Sequence, residues 1–220
     1  MILAIADVLD AATAAAASRT LHGLPFRDGR ETAGWEARRV KSNLQADARD
    51  AAAAVLKADL LARIAAHPLF GIAARPARPP RMLLSRYDEG MGYGAHMDDA
   101  LMGGLRTDLS FTLFLSAPED YAGGALVIES TAGEQEYRLP AGTMLLYPTT
   151  FLHRVAPVER GTRLVAVGWV QSLVRDAARR EMLFDLETAR EMLAGDAGRA
   201  RERALIGRSI GNLLRMWAEP

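Results

Sequence analysis

A β-rich core, a sandwich or barrel, set between two helical flanks is the architecture this sequence predicts. Three observations predict it. Between Arg81 and Gln171 short segments of strand character alternate with turns, and dense short strands of that kind build sandwiches and barrels. Ahead of them, Leu56, Leu60 and Ile64 recur at helical spacing within Asn43 to Ala66. Behind them, Ile206, Ile210, Leu213, Leu214 and Trp217 form a second helical stripe. The chain accordingly divides into an N-terminal strand and helix part over 1–80, a β core over 81–171 and a C-terminal helical extension over 172–220.

Taken in order, Ile2 to Ala6 reads as a short strand, and Asp7 offers an N-cap to an alanine-rich helix from Val8 to Thr20. Gly and Pro punctuate residues 21–34 as a loop that contains His22, and Trp35 to Lys41 reads as an edge strand. The helix from Asn43 to Ala66 ends at Pro68, with His67 at its C-terminus beside the negative end of the dipole. Residues 71–80, with Pro76, Pro79 and Pro80, read as a connection. The strands expected next are 81–87, 92–98, 107–116, 123–130, 134–139, 142–147, 152–157 and 162–171. A helix follows from Val174 to Leu193, broken by Gly195 and Gly198 ahead of the last stripe. That stripe has to be covered, by the β core or by a second copy of the chain in a homodimer.

Composition narrows the chemistry. Lys plus Arg and Asp plus Glu stand at 27 each, so no net field draws the chain to nucleic acid or to an anionic membrane. There is no cysteine, which removes disulfides, thiolate nucleophiles, iron–sulfur clusters and Cys-held zinc. A metal here needs nitrogen and oxygen ligands, and the imidazoles are His22, His67, His96 and His153. The N-terminus lacks a basic region and is interrupted by Asp7 and Asp10, and no run nears the roughly 20 apolar residues of a membrane span. The expectation is a cytoplasmic protein.

The stretch Leu84-Ser-Arg-Tyr-Asp-Glu-Gly-Met-Gly-Tyr-Gly-Ala-His-Met-Asp98 carries the chemistry. His96 and Asp98 are two apart, so on a strand both point to one face. His153 opens another strand after the turn Pro148-Thr-Thr150. Two imidazoles and one carboxylate suit an intermediate divalent metal and leave coordination positions open, as in non-haem iron oxygenases. Arg163 shares a strand face with Val165, Val167 and Trp169. A guanidinium in such company needs an anion, which either a dicarboxylate co-substrate or a structural glutamate would supply. Tyr87 and Tyr93 flank the glycine turn, and Ser110 and Thr112 lie opposite Leu109, Phe111, Leu113 and Leu115 on strand 107–116. The hydroxyl face fits a wet cavity and the apolar face a layer of helices.

Arg86-Tyr87 with Gly-x-x-Tyr93-x-x-His96-x-Asp98, then Gly123-Gly124, His153 and Arg163, resembles the iron(II)- and 2-oxoglutarate-dependent dioxygenases of the prolyl/lysyl hydroxylase class. Among these the chain is most similar to bacterial PKHD-type hydroxylases associated with iron uptake. The resemblance spans nearly the whole chain, since Asp28-Gly-Arg and Val40-Lys-Ser-Asn-Leu-Gln45 match the family's N-terminal part. It implies a double-stranded β-helix (jelly-roll) core, Fe(II) on His96, Asp98 and His153, and Arg163 on the distal carboxylate of 2-oxoglutarate. It also implies L-ascorbate as an accessory ligand. Phe114 stands where some prolyl hydroxylases carry a tyrosine supporting that carboxylate, which leaves Tyr87, Ser110 or Thr112 for the task.

The expected reaction is hydroxylation of a substrate C–H by dioxygen, with 2-oxoglutarate converted to succinate and carbon dioxide. A peptidyl prolyl or lysyl residue and a small molecule such as a siderophore both fit. Loops 88–92, 99–106 and 117–124 are expected to rim the mouth. Two rivals use the same three ligands, a cupin-like metal enzyme and a non-catalytic iron or oxygen sensor; neither gives Arg163 a co-substrate to hold.

Overall fold

The computed structural model describes residues 1–35 and 37–219. Strand β1 is Leu3–Ile5 and helix α1 Ala11–His22. Asp10, not Asp7, caps α1, accepting from the Thr13 N–H at 2.7 Å. Asp7 has φ of 56°, so it turns the chain in the left-handed region and cannot serve as the extended N-cap. Ala14, Ala17 and Leu21 are the buried face of the helix, where small side chains let it lie close to the sheet.

Strand β2 (Phe26–Asp28) and a short 3-10 turn (Gly29–Thr32) occupy the segment read as loop. The edge strand expected over Trp35 to Lys41 is instead a helical turn, α2 (Ala37–Val40), followed by β3 (Lys41–Ser42); Glu36 lies outside the described residues. The helix expected from Asn43 starts eight residues late. Leu44–Ala46 is strand β4, and α3 runs Ala51–Ala66 from the Asp50 cap, which accepts from the Ala53 N–H at 2.9 Å. The reason is visible in the burial: Lys41, Asn43 and Gln45 alternate inward, a period of two, whereas the period of 3.6 begins only at Ala53 with Leu56, Leu60 and Ile64. Pro68 ends α3 and also opens α4 (Pro68–Ala74), which the proline-rich connection had concealed.

The core strands follow as β5 (Arg81–Tyr87), β6 (Gly92–His96), β7 (Leu101–Met102), β8 (Leu105–Arg106) and β9 (Leu109–Phe114). After them come β10 (Tyr121–Gly123), β11 (Leu126–Ser130), β12 (Gly133–Tyr137), β13 (Met144–Pro148), β14 (His153–Val155), β15 (Val158–Gly161) and β16 (Arg163–Val170). The small hairpin β7–β8 and strand β10 arise within segments expected to be loops. Gly103 and Gly104, at φ of 57° and 79°, make the tight turn of that hairpin.

Two antiparallel sheets make the core. The larger has the order β1-β13-β9-β16-β5-β4-β2, the smaller β12-β11-β14-β6-β3. Alternation sorts the larger sheet's side chains. Leu109, Phe111, Leu113, Met144, Leu146, Leu164 and Ala166 face outward into one apolar cluster with Leu21, Leu60, Ile64 and Phe70 from the helices. Tyr87, Phe114, Leu145, Tyr147 and Val165 face inward and meet Leu126, Ile128 and Val155 of the smaller sheet. A mainly β fold with one sheet plastered by helices is the jelly-roll arrangement expected.

The C-terminal part is α5 (Ala177–Met192) and α6 (Ala200–Trp217). The α6 stripe packs on α5 and Val174, with Ile210 and Leu183 at the centre, so a helix covers part of it where the β core or a second copy was expected. In turn α5 lies on α4, where Arg75 Nη2 meets Glu187 Oε1 at 3.4 Å with both side chains buried, and Arg190 Nη2 meets Glu187 Oε2 at 2.7 Å. Among the described residues no helix is long and apolar enough to cross a membrane.

Candidate metal centre and co-substrate pocket

His96 ends β6 and His153 begins β14, and the pairing of those strands sets the two residues directly opposite each other. Asp98, two residues beyond His96, completes a cluster whose ligand atoms lie within 4.8 Å of one another. His96 Nε2 is 3.9 Å from Asp98 Oδ1, and His153 Nε2 is 3.8 Å from Asp98 Oδ2. Both rings are oriented by backbone. His96 Nδ1 is 2.8 Å from the Gly94 carbonyl and His153 Nδ1 is 3.0 Å from that of Phe151. A carbonyl only accepts, so each Nδ1 carries the proton and each Nε2 keeps its lone pair for the centre. Burial, with His153 alongside, pushes the His96 pKa down to about 4, which keeps that imidazole neutral and able to ligate at neutral pH.

Aromatic rings hold the pair in place. Tyr93 stacks on His96 with centroids 3.5 Å apart and planes 16° from parallel, and Tyr147 meets His153 edge-on at 5.3 Å. Ser110 Oγ donates to Asp98 Oδ2 at 2.7 Å. Tyr147 had no role assigned from sequence, because its strand was read only as the one preceding the turn to His153. Alternation from the inward Leu145 was the available signal. Burial raises the Tyr147 hydroxyl above the usual phenol range, and the Asp98 charge adds to this.

The cluster opens into a cavity of about 660 Å³. Arg163 lies in its wall and is 1% exposed. Its Cζ is 5.1 Å from the ring centroid of Tyr87, its register partner on β5, and 5.6 Å from that of Phe114. Its Nε and Nη1 have no hydrogen-bond partner. The glutamate that would have made Arg163 a structural ion-pair member is absent among the described residues. Gly124 backs this side chain at φ of 61°, and a Cβ there would stand 3.2 Å from Arg163 Cδ. Tyr87 is buried beside the guanidinium, and desolvation raises its pKa. Ser110 and Thr112 face the cavity from β9, as the alternation predicted.

The donor set fits iron: two imidazoles and a carboxylate, all lining the cavity, would hold it. The idle guanidinium nitrogens fit the distal carboxylate of 2-oxoglutarate. The mouth is built differently from the expectation. Of the three loops, only 99–106 lines the cavity, through Asp99, Leu101, Met102 and Gly103. The N-terminal part adds Thr32, Gly34, Ala37, Lys41, Asn43, Gln45 and Lys57 to the lining.

Comparison with known proteins agrees with this geometry. Residues 82–171 match the model of the 2OG-Fe(II) oxygenase superfamily. A PKHD-type hydroxylase of Acaryochloris marina is 51% identical over 219 residues, covering 100% of both chains. A PKHD-type hydroxylase of a Synechococcus species is 50% identical over 223 residues, again covering 100% of both. The crystal structure of a Pseudomonas putida prolyl-4-hydroxylase superposes with a TM-score of 0.52 at 22% identity, over 78% of this chain and 92% of that one, a likeness of fold. Full-length identity at this level, on a fold that brings two histidines and an aspartate to the mouth of a jelly roll, places the chain among the PKHD-type hydroxylases of the 2OG-Fe(II) oxygenase superfamily, iron- and 2-oxoglutarate-dependent oxidoreductases.

Proposed function

We propose that His96, Asp98 and His153 hold the iron, that Arg163 holds the distal carboxylate of 2-oxoglutarate, and that Tyr87 packs against that arginine to fix its fork. The observation that carries this reading is the Arg163 side chain, buried and charged with two nitrogens unpartnered. Leaving such a group in a protein costs free energy unless a ligand completes it. Bound there, iron and 2-oxoglutarate supply the oxidation of a substrate C–H to C–OH by dioxygen, releasing succinate and carbon dioxide.

The chain's own residues orient and enclose. Gly94 and Phe151 carbonyls keep Nε2 of each histidine free of a proton. Ser110 fixes the Asp98 carboxylate by its Oδ2. Tyr87, Phe114 and Val165 dry the surroundings of Arg163, which strengthens its hold on an anion. Residues 81–171 act on this reading as the catalytic core, with 1–80 completing the cavity wall and 172–220 supporting α4.

A paired substitution tests it. Asp98→Ala should abolish binding of one Fe(II) per chain, while His22→Ala and His67→Ala retain it. Arg163→Ala should retain iron and lose 2-oxoglutarate. Iron binding by Asp98→Ala equal to wild type would sink the ligand assignment. A twofold homodimer through the half-exposed α6 stripe of Ile206, Leu213, Leu214 and Trp217 belongs to the same proposal. Light scattering decides it, and a monomer at micromolar concentration removes it.

A further inference from the structure

Lys41, Asn43 and Gln45 occupy alternate positions of one extended stretch from β3 into β4, and all three side chains line the cavity. The sequence stretch Val40-Lys-Ser-Asn-Leu-Gln45 was singled out by resemblance alone, and iron and 2-oxoglutarate leave the Lys41 ammonium without a task. Lys41 is 9% exposed. Its Nζ makes one long hydrogen bond, to Thr32 Oγ1 at 3.4 Å, and no carboxylate among the described residues forms an ion pair with it. Asn43 Oδ1 is buried without a partner, whereas Gln45 Oε1 accepts from Thr32 Oγ1 at 2.6 Å. A buried ammonium with protons to spare is unfavourable until an anion reaches it.

Position and charge say what reaches it. Lys41 Nζ lies 5.1 Å from the Tyr93 ring centroid, and that ring is stacked on His96. The Tyr93 ring thus touches both the ammonium and a histidine of the metal cluster. Gly94 makes this possible, because a Cβ there would stand 2.7 Å from Val40 Cβ and push the segment carrying Lys41 away. Once Arg163 serves 2-oxoglutarate and Asp98 serves iron, the charged cavity residues left among those described are Lys41, Lys57, Arg81 and Asp99. Three cations face one anion, a field that favours a negatively charged visitor.

Resting on the iron and 2-oxoglutarate reading above, we propose that Lys41 is the specificity-determining residue for the hydroxylated substrate. That substrate is a compact carboxylate-bearing molecule of about amino-acid size, with its carboxylate on Lys41 Nζ. Lys41 and the metal cluster line the same cavity, so a carboxylate held by the ammonium enters the space that the cluster opens into.

The test uses the full chain loaded with Mn(II) and saturating 2-oxoglutarate, titrated calorimetrically with free amino acids, 2-hydroxy acids and short dicarboxylates, each beside its neutral amide. At least one acid should bind roughly tenfold or more tightly than its amide, the scale of a charge-assisted hydrogen bond. Lys41→Met should erase that preference and Lys41→Arg restore part of it, with Mn(II) and 2-oxoglutarate affinities unchanged in both. The ligand-free Lys41→Met protein should melt at or above the wild-type temperature, since it loses an unpaired buried charge.

Three results overturn the proposal: no acid preferred over its amide by the wild type, a preference that survives Lys41→Met, or a Lys41→Met protein that melts well below wild type. Weakened 2-oxoglutarate binding in Lys41→Met would also overturn it, by assigning the lysine to the co-substrate. Failure of the underlying reading looks different, because the wild type itself would then bind no 2-oxoglutarate.

Discussion

Ser110 donates to Asp98 Oδ2 at 2.7 Å, so the carboxylate of the metal cluster, carried just past β6 of the smaller sheet, is fixed from β9 of the larger one. The same hydroxyl lies 3.2 Å from Thr149 Oγ1. An oriented carboxylate oxygen loses less freedom on meeting a metal, and outer hydrogen bonds of this kind typically govern affinity by about 10–100-fold. Ser110→Ala should therefore weaken Fe(II) binding by at least roughly tenfold while the fold survives, since alanine fills nearly the same space. Thr149→Ala, one bond further out, should have a smaller effect. Competition with a chelator of known affinity measures both, and equal iron affinity in Ser110→Ala and wild type would refute the coupling.

Arg163→Ala should raise the 2-oxoglutarate KM by at least roughly tenfold, because hydrogen bonds to charged groups contribute about 1.5–3 kcal/mol net. Lysine at 163 should recover part of that loss, as it restores the charge without the planar fork. Succinate release in the absence of added substrate is the assay. Because Nε and Nη1 are idle without a ligand, neither variant should cost much stability in the ligand-free protein. Unfolding of both variants at low denaturant, with no selective change in KM, would make Arg163 a structural residue.

The sequence made most of this site legible because its ligands obey short-range rules. His96 and Asp98 are two apart on a strand, and Arg163, Val165, Val167 and Trp169 share a face by alternation, so the neighbourhood of each could be read from its own strand. Ser110 and Thr112 were placed on the cavity side by the same rule. The N-terminal wall was not legible. Lys41, Asn43 and Gln45 alternate as a strand does, but the edge strand was read as ending at Lys41, and the helical pattern further along, from Ala53 to Ile64, drew the reading of a helix back across Asn43 and Gln45. Their inward polarity makes sense only against a cavity formed mostly by residues from Pro80 onward. Tyr147 escaped for a related reason: its meaning lies in contact with His153, and contact between strands is not a property of either strand alone.

Removal of everything after Gln171 should destabilise the protein even though no candidate site residue is lost. Helix α5 covers α4, and Glu187 pairs with Arg75 there with both side chains buried. Truncation bares the α4 surface that α5 covers and removes the partner of Arg75; removing Glu187 alone leaves the guanidinium buried and unpaired, at a cost of about 3–5 kcal/mol. Glu187→Ala should reproduce part of the loss by itself. Urea unfolding compares the three proteins, and a truncated chain as stable and active as the full one would show that the extension is dispensable.

Lys41 gives a pH signature that the folded protein should display before any substrate is known. Burial lowers its pKa from 10.5 to about 8, against the pull of Asp98 and Asp28, the anions that face it among the described residues. Tyr93, whose ring it overlies, is shifted upward by desolvation and stays protonated through this range. Below pH 8 both the folded and the unfolded chain carry the Lys41 proton, so the folded state bears the full cost of the buried charge, roughly 3 kcal/mol. Between pH 8 and 10.5 the folded chain gives up the proton while the unfolded chain keeps it. Stability from this group therefore rises with pH across that window. Lys41→Met has no such proton and serves as the control for every other titrating group. The variant should be the more stable protein at pH 7, and its advantage should shrink as pH rises from 8 to 10.5. Urea unfolding of both proteins at pH 7, 8.5 and 10 gives the difference directly. An advantage that stays constant over those three points, or a variant less stable than wild type at pH 7, would mean that Lys41 is not an uncompensated buried charge.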